Sequence, residues 1–502
     1  MHSSPHTQRS GLERLRQISR PVMAVATGLM VVALATGCGG NDLLAGSLDD
    51  QFGKASDGTP DGIVNLSLGS GDDFAKGMAV QADGKVIVVG TSTSTGGSSN
   101  IVIERFNSDG TLDSSFGADG NSDGTPDGVV NLDLGASSDD AKAVAIQADG
   151  KIVVAGNSTP VGGSSNVVLA RLNKDGTLDK TFGADGNADG TPDGVVQLSF
   201  GDGDDAVDAI AIQKNGKIVV AGDTTSNTGN GSQNLVVARV NTDGSLDATF
   251  GAGTADGTPD GVVSLSLGAG NDEAKAIVID AHDRIVIAGN TVGADNSINI
   301  AVVRLYGNGT LDTEFGTGNA DGTPDGVVAV SLSNGNDKAK AIALQADGKI
   351  LVGGVTMGAD KSSNVAVARL NSDGTLDASF GAGTADGTPD GAVAVSFGNG
   401  DDKLKGLVVQ ADGKIVVAGS NTAADGSTNA VVARLNSDGS LDSGFGQDDS
   451  DGTPDGVVSL SLGSGDDSAE AIALQADGKI LIAGNHVASD QSSNIFVARL
   501  IN

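Results

Sequence analysis

Two stretches of the chain place oxygen-bearing side chains at every second position. Asp119, Asn121, Asp123, Thr125 and Asp127 form one, and Asp185, Asn187, Asp189, Thr191 and Asp193 form the other. Ca²⁺ takes six to eight hard oxygen ligands, and such spacing around a sharp glycine turn (Gly124, Gly190) can aim several at one ion. Both stretches are built on the hexapeptide Asp-Gly-Thr-Pro-Asp-Gly, which begins at Asp57, Asp123, Asp189, Asp256, Asp321, Asp386 and Asp451. The other five copies offer fewer ligands: Asp57 and Asp61, Asp256 and Asp260, Asp321 and Asp325, Asp386 and Asp390, Asp451 and Asp455. Ca²⁺ is therefore the expected cofactor. The alternative is a solvated acidic turn in which Asp, Gly and Pro each serve backbone geometry.

A second set of carboxylates recurs once per repeat, at Asp73, Asp139, Asp205, Asp272, Asp337, Asp402 and Asp467, usually beside another Asp or Asn. In a ring they would form an acidic circle able to gather cations or a basic partner. The competing reading is an Asx turn that only shapes the chain. Seven arginines (Arg105, Arg171, Arg239, Arg304, Arg369, Arg434, Arg499) share a strand face with apolar neighbours. They read as structural, each paired with the Asp of a Leu-Asp dipeptide such as Asp113 or Asp179, because a partly buried guanidinium needs an acceptor. Seven phenylalanines at one repeat position (Phe52, Phe116, Phe182, Phe250, Phe315, Phe380, Phe445) read as anchors between units.

Catalytic signals are poor. After the first 37 residues only His282 and His486 remain, in different repeats, and no nucleophile elbow is present. The expected class is a non-enzyme. A carboxylate-based hydrolase is the alternative that abundant Asp leaves open. The formal charge of −34 disfavours nucleic acid as a partner, and the single Cys rules out an internal disulfide framework.

The elements that must position these groups are strands. The hexapeptides are spaced 66, 66, 67, 65, 65 and 65 residues apart, a period that decides the fold before any local argument. Within one unit, Val129–Leu134 alternates apolar and polar residues. Ala141–Gln147 and Lys151–Ala155 flank Asp149-Gly150, which predicts a hairpin with a two-residue type I′ turn. Val167–Leu172 is the fourth strand. Four short strands repeated radially predict an all-β fold, a closed seven-bladed β-propeller of four-stranded antiparallel blades. The last copy lacks the Leu-Asp-x-x-Phe-Gly string, and Leu48–Gly53 carries it. The N-terminal segment is therefore expected to complete the last blade.

The first 37 residues differ in kind. Arg9, Arg14, Arg16 and Arg20 precede the uncharged apolar stretch Pro21–Ala35, too short for a bilayer span. Leu34-Ala35-Thr36-Gly37-Cys38 resembles the bacterial lipobox, which implies signal removal after residue 37 and lipidation of Cys38. Gly39 after the cysteine implies outer-membrane sorting. Residues 38–45 form a tether and 46–502 the propeller. The stretches Gln147–Gly156 and Ala170–Gly183 resemble the delta-60 repeat family of bacterial surface and secreted proteins, which implies a propeller-like β fold and no shared catalytic residues. The Asp-Gly-x-Pro-Asp string resembles bacterial thrombospondin type 3 repeats, which implies calcium. The loop also resembles the helix–loop–helix calcium loop but departs from it at position 12, where Val130 and Val196 replace a bidentate Glu.

The expected protein is a lipid-anchored bacterial envelope module on the outer membrane, periplasmic or surface-facing, and a monomer. It touches the membrane through its anchor and binds a protein or glycan, with calcium stiffening the connections. The loops Ser92–Ser99, Thr224–Gln233 and His486–Ser493 differ most between copies and are the expected partner surface. A purely structural envelope protein is the alternative.

Overall fold

The computed structural model describes residues 44–53, 62–68, 71–94, 97–117, 128–135, 138–183, 194–201, 203–225, 231–251, 261–268, 270–293, 296–316, 326–333, 335–357, 362–381, 391–398, 400–422, 426–446, 456–463 and 465–502. Among them are 28 strands and no helix. In the first blade the order from the axis outward is Asp73–Val80, Val86–Thr93, Ser99–Phe106 and the short Val129–Leu132, all antiparallel. The same order repeats seven times, and a single bridge between Ser99 and Ser138 links the first two blades.

The short strand after each hexapeptide is the outer strand of the preceding blade. It is not the first strand of its own unit, as the repeat phase suggested. The seam follows the same rule: Ile63–Leu66 pairs with Ser493–Leu500 and completes the last blade. The innermost strands pack in a cycle, and Asp73–Val80 of the first blade meets Asp467–Leu474 of the last. The propeller is closed.

The hairpins differ from expectation in one detail. A type I′ turn needs positive φ at both central residues, and only the glycine has it: Gly84 and Gly150 lie at 85° and 84°. Gly84 N–H donates to the Gln81 carbonyl and Gln81 N–H to that of Lys85. The loop is thus a type I turn followed by a left-handed glycine, the three-residue form. In the fourth blade a non-glycine residue, Asp283, takes that place at φ 65°.

Seven apolar layers fill the seven gaps between blades, and each contains one of the repeated phenylalanines, fully buried. The seam layer packs Phe52, Val88 and Phe106 against Leu481 and Val497. Small β-branched residues dominate, which suits sheets stacked face to face.

Candidate functional site

The outer connections hold a clamp in every blade. The Arg105 Nε lies 2.7 Å from Asp113, and the equivalent pairs, from Arg171–Asp179 to Arg499–Asp49, lie at 2.6–2.7 Å. The same carboxylate accepts from Lys85, Lys151, Lys217, Lys349, Lys414 or Lys479 at 2.5–2.8 Å, with Arg284 in that role at Asp312. Each guanidinium sits 4.3–4.8 Å from the centre of its phenylalanine ring. One of its two terminal nitrogens, Nη1, reaches the next blade: Arg171 donates to the Thr242 carbonyl at 2.5 Å, and Arg499 to that of Ser108 across the seam. Burial alone would raise the pKa of Asp113. The hydrogen bonds from Lys85 and Ser115 and the charge of Arg105 outweigh it and hold the carboxyl well below the usual range. The arginines are structural, as their apolar surroundings imply.

The acidic ring proves to be internal. Asp73, Asp139, Asp205, Asp272, Asp337, Asp402 and Asp467 are all fully buried. In each, one carboxylate oxygen accepts from the backbone N–H five residues earlier, from Leu68 N–H to Asp73 through Leu462 N–H to Asp467. The expectation of an open acidic circle is corrected: these are turn anchors, withdrawn from solvent and spent on a backbone N–H of their own turn. Burial pushes the carboxyl of Asp402 up to about 6, against the hydrogen bonds from Asn421 and Phe397 N–H. The preceding residue is spent on a neighbour. Asp204, Asn271, Asn336, Asp401, Asp466 and Asp72 each accept a backbone N–H from the adjacent blade at 2.9–3.1 Å. The last of these, from Ser493 to Asp72, crosses the seam.

All the residues expected to bind calcium, and Cys38, lie outside the described residues. Among the described residues no group of three or more His, Cys, Asp or Glu side chains is placed to hold a metal ion.

A charged belt that the motif reading passed over lies on the axis. Every innermost strand carries a β-bulge at one position, where the register slips past Lys76, Lys142, Asp208, Lys275, Lys340, Lys405 and Glu470. A bulge re-aims a side chain, and these seven line an axial channel of about 300 Å³. Two lysines are paired: Lys275 with Asp208 at 2.8 Å and Glu273 at 3.2 Å, and Lys405 with Glu470 at 2.6 Å. Among the described residues Lys76, Lys142 and Lys340 have no ion-pair partner within 4.0 Å, although Lys76 lies 5.6 Å from the Phe74 ring. Burial lowers the pKa of Lys76, and burial with the charges of Lys275 and Lys405 lowers that of Lys340. Next along the channel comes an apolar belt that includes Met78, Ile342 and Ile472. The signal was present in the sequence: a charge three residues after each anchoring Asp, among small apolar neighbours.

Comparison with known proteins adds a family. One family model, described as "Domain of unknown function (DUF5122) beta-propeller", matches residues 81–116, 147–182, 213–250, 283–315, 345–380, 410–445 and 475–500. Seven stretches of the chain match this beta-propeller repeat model. Five matches begin at a Gln-x-Asp-Gly hairpin, the others at Gln213 and Asp283, and each covers the second and third strands of a blade with the clamp arginine. No curated protein matches the chain.

Similar solved structures include a catalytically inactive virginiamycin B lyase from Staphylococcus aureus, at 12% identity and TM-score 0.43, covering 87% of this chain and 98% of that one. A polysaccharide lyase (ulvan lyase) aligns at 10% identity and TM-score 0.44, covering 86% and 95%. A glucose dehydrogenase aligns at 10% and 0.37, covering 71% and 95%. The expectation that this chain is not an enzyme is withdrawn; the similar structures above, and a gluconolactonase, are described as enzymes. Likenesses this distant speak at most to the fold and assign no activity here.

Proposed function

We propose that the protein is an exported, lipid-anchored binding and scaffold module of the bacterial cell envelope, with Cys38 as its anchor and the loops between the second and third strands of each blade as its recognition surface. One observation carries the reading. A rim hydrogen-bonded from blade to blade supports loops that differ from blade to blade, from Ser94–Ser98 through Pro160–Ser165 to Ala488–Ser492. Binding residues concentrate on loops over a rigid frame. Val161 stands 87% exposed at one such tip and suits a probe. Calcium in the Asp119–Asp127 and Asp185–Asp193 loops is the proposed stiffener of the opposite face.

The test is a photo-crosslinking residue at position 161, and for comparison at exposed Lys180, in cells that produce the full chain. A discrete adduct from position 161 alone supports a recognition face. Equal or absent labelling at the two positions favours a structural envelope protein without a specific partner. Labelled fatty acid should enter the wild type and not Cys38→Ser.

A further inference from the structure

In the clamps every charged group touches a partner of opposite sign, but in the axial belt some do not. Seven side chains reach the channel from seven equivalent bulges, and they do not cancel: five are lysines and two are acids. The two acids are taken by Lys275 and Lys405. Lys76, Lys142 and Lys340 have no carboxylate partner within 4.0 Å among the described residues.

Unpaired ammonium groups held partly away from water are unfavourable by themselves. The fold has no need of them, since the bulge forms equally well around Asp208 and Glu470. The chain as a whole carries a charge of −34. Surface carboxylates are screened within about 8 Å at physiological salt, and charges facing each other in a narrow channel are screened much less. An anion inside the channel therefore feels the local cations more strongly than the acidic surface. Lysine is a flexible point charge with three donors, which suits compact oxyanions that a rigid guanidinium fork would not surround.

We infer that the axial channel is a binding site for one small oxyanion of about three negative charges, a polyphosphate or a tricarboxylate, held by Lys76, Lys142 and Lys340.

The test is titration calorimetry of the full-length chain in detergent with inorganic pyrophosphate and, separately, citrate, at two salt concentrations. The expected result is one site per chain, weakened by salt. Lys76→Met, Lys142→Met and Lys340→Met should each lower affinity about tenfold, the size of one charge-assisted hydrogen bond, while Lys180→Met should leave it unchanged. Glu470→Gln, which releases Lys405, and Asp208→Asn, which leaves Lys275 with Glu273 alone, should both tighten binding, the first more than the second. Preference for pyrophosphate over citrate assigns a phosphate ligand, and the reverse a carboxylate. No binding of either probe, or binding that the three lysine variants do not alter, would overturn the proposal and leave the belt as a solvated lumen. Melting temperatures of the variants near that of the wild type separate loss of site from loss of fold.

Discussion

The rim clamps and the axial belt are both rings of seven charged positions, yet they are organised in opposite ways. In the clamp every blade uses the same Arg, Asp and Phe, and every charge has a partner. On the axis the residue type changes from blade to blade, and three cations are left over. Residues repeated without variation hold the ring together. Residues that depart from the repeat at a fixed backbone position are available for something else.

The comparison can be broken most sharply by stability. Asp179→Ala strands Arg171 and Lys151 in a buried site and should cost about 3–5 kcal/mol in urea unfolding. Lys142→Met, which breaks no ion pair, should stay within about 0.5 kcal/mol. Equal effects would erase the distinction.

Calcium is the next largest effect. At about 100 times its dissociation constant an ion bound only by the native state adds about 2.7 kcal/mol per site. A rise in melting temperature with calcium, absent with magnesium, is expected from the Asp119–Asp127 and Asp185–Asp193 loops.

Glu104 is an exception to the repeat that lies off the axis. It is fully buried beside the seam layer with neither carboxylate oxygen hydrogen-bonded, and six other blades place Ala170, Ala238, Val303, Ala368, Ala433 or Ala498 there. Burial, and then the charge of Asp73, pushes its pKa well up. A carboxyl with a raised native pKa keeps its contribution below the unfolded value and loses it as pH rises through the native one. Glu104→Ala should therefore stabilise by about 1–3 kcal/mol at pH 8, with the gain shrinking toward pH 4. The clamp acids have the opposite sign. Asp113, Asp179, Asp247 and Asp377 are depressed, so their contribution is present above about pH 4 and is lost as pH falls further. The smallest change is Asp283→Gly, which relieves a left-handed backbone at φ 65° and should add about 1 kcal/mol in the same unfolding experiment.

Much of the ring was legible because repetition multiplies weak signals. The period, the hairpin and the phenylalanine positions each predicted a blade, and the Leu48–Gly53 string predicted the seam. Three features were missed or left open. The phase of the blade was off by one strand, because periodicity shows where a strand is and not which neighbour it pairs with. Asp73 and its equivalents read as an exposed acidic circle or a turn, and only the burial of Asp73 and its bond from Leu68 N–H decide for the turn. The lysine belt escaped because a charge in an alternating strand reads as solvent-facing. The bulge that turns it toward the axis leaves no mark in composition.

The claim that one repeated clamp closes the ring is tested most directly at the seam. Asp49 binds Arg499 at 2.7 Å and Lys479 at 2.8 Å, while Asp247 binds Arg239 at 2.6 Å and Lys217 at 2.5 Å. The two sites are equivalent in chemistry, but the first joins residues 450 positions apart. Urea unfolding of Asp49→Ala and Asp247→Ala should show losses equal within about 1 kcal/mol, each in the 3–5 kcal/mol range. A large loss for Asp247→Ala with none for Asp49→Ala would mean that the seam is open and would contradict the account.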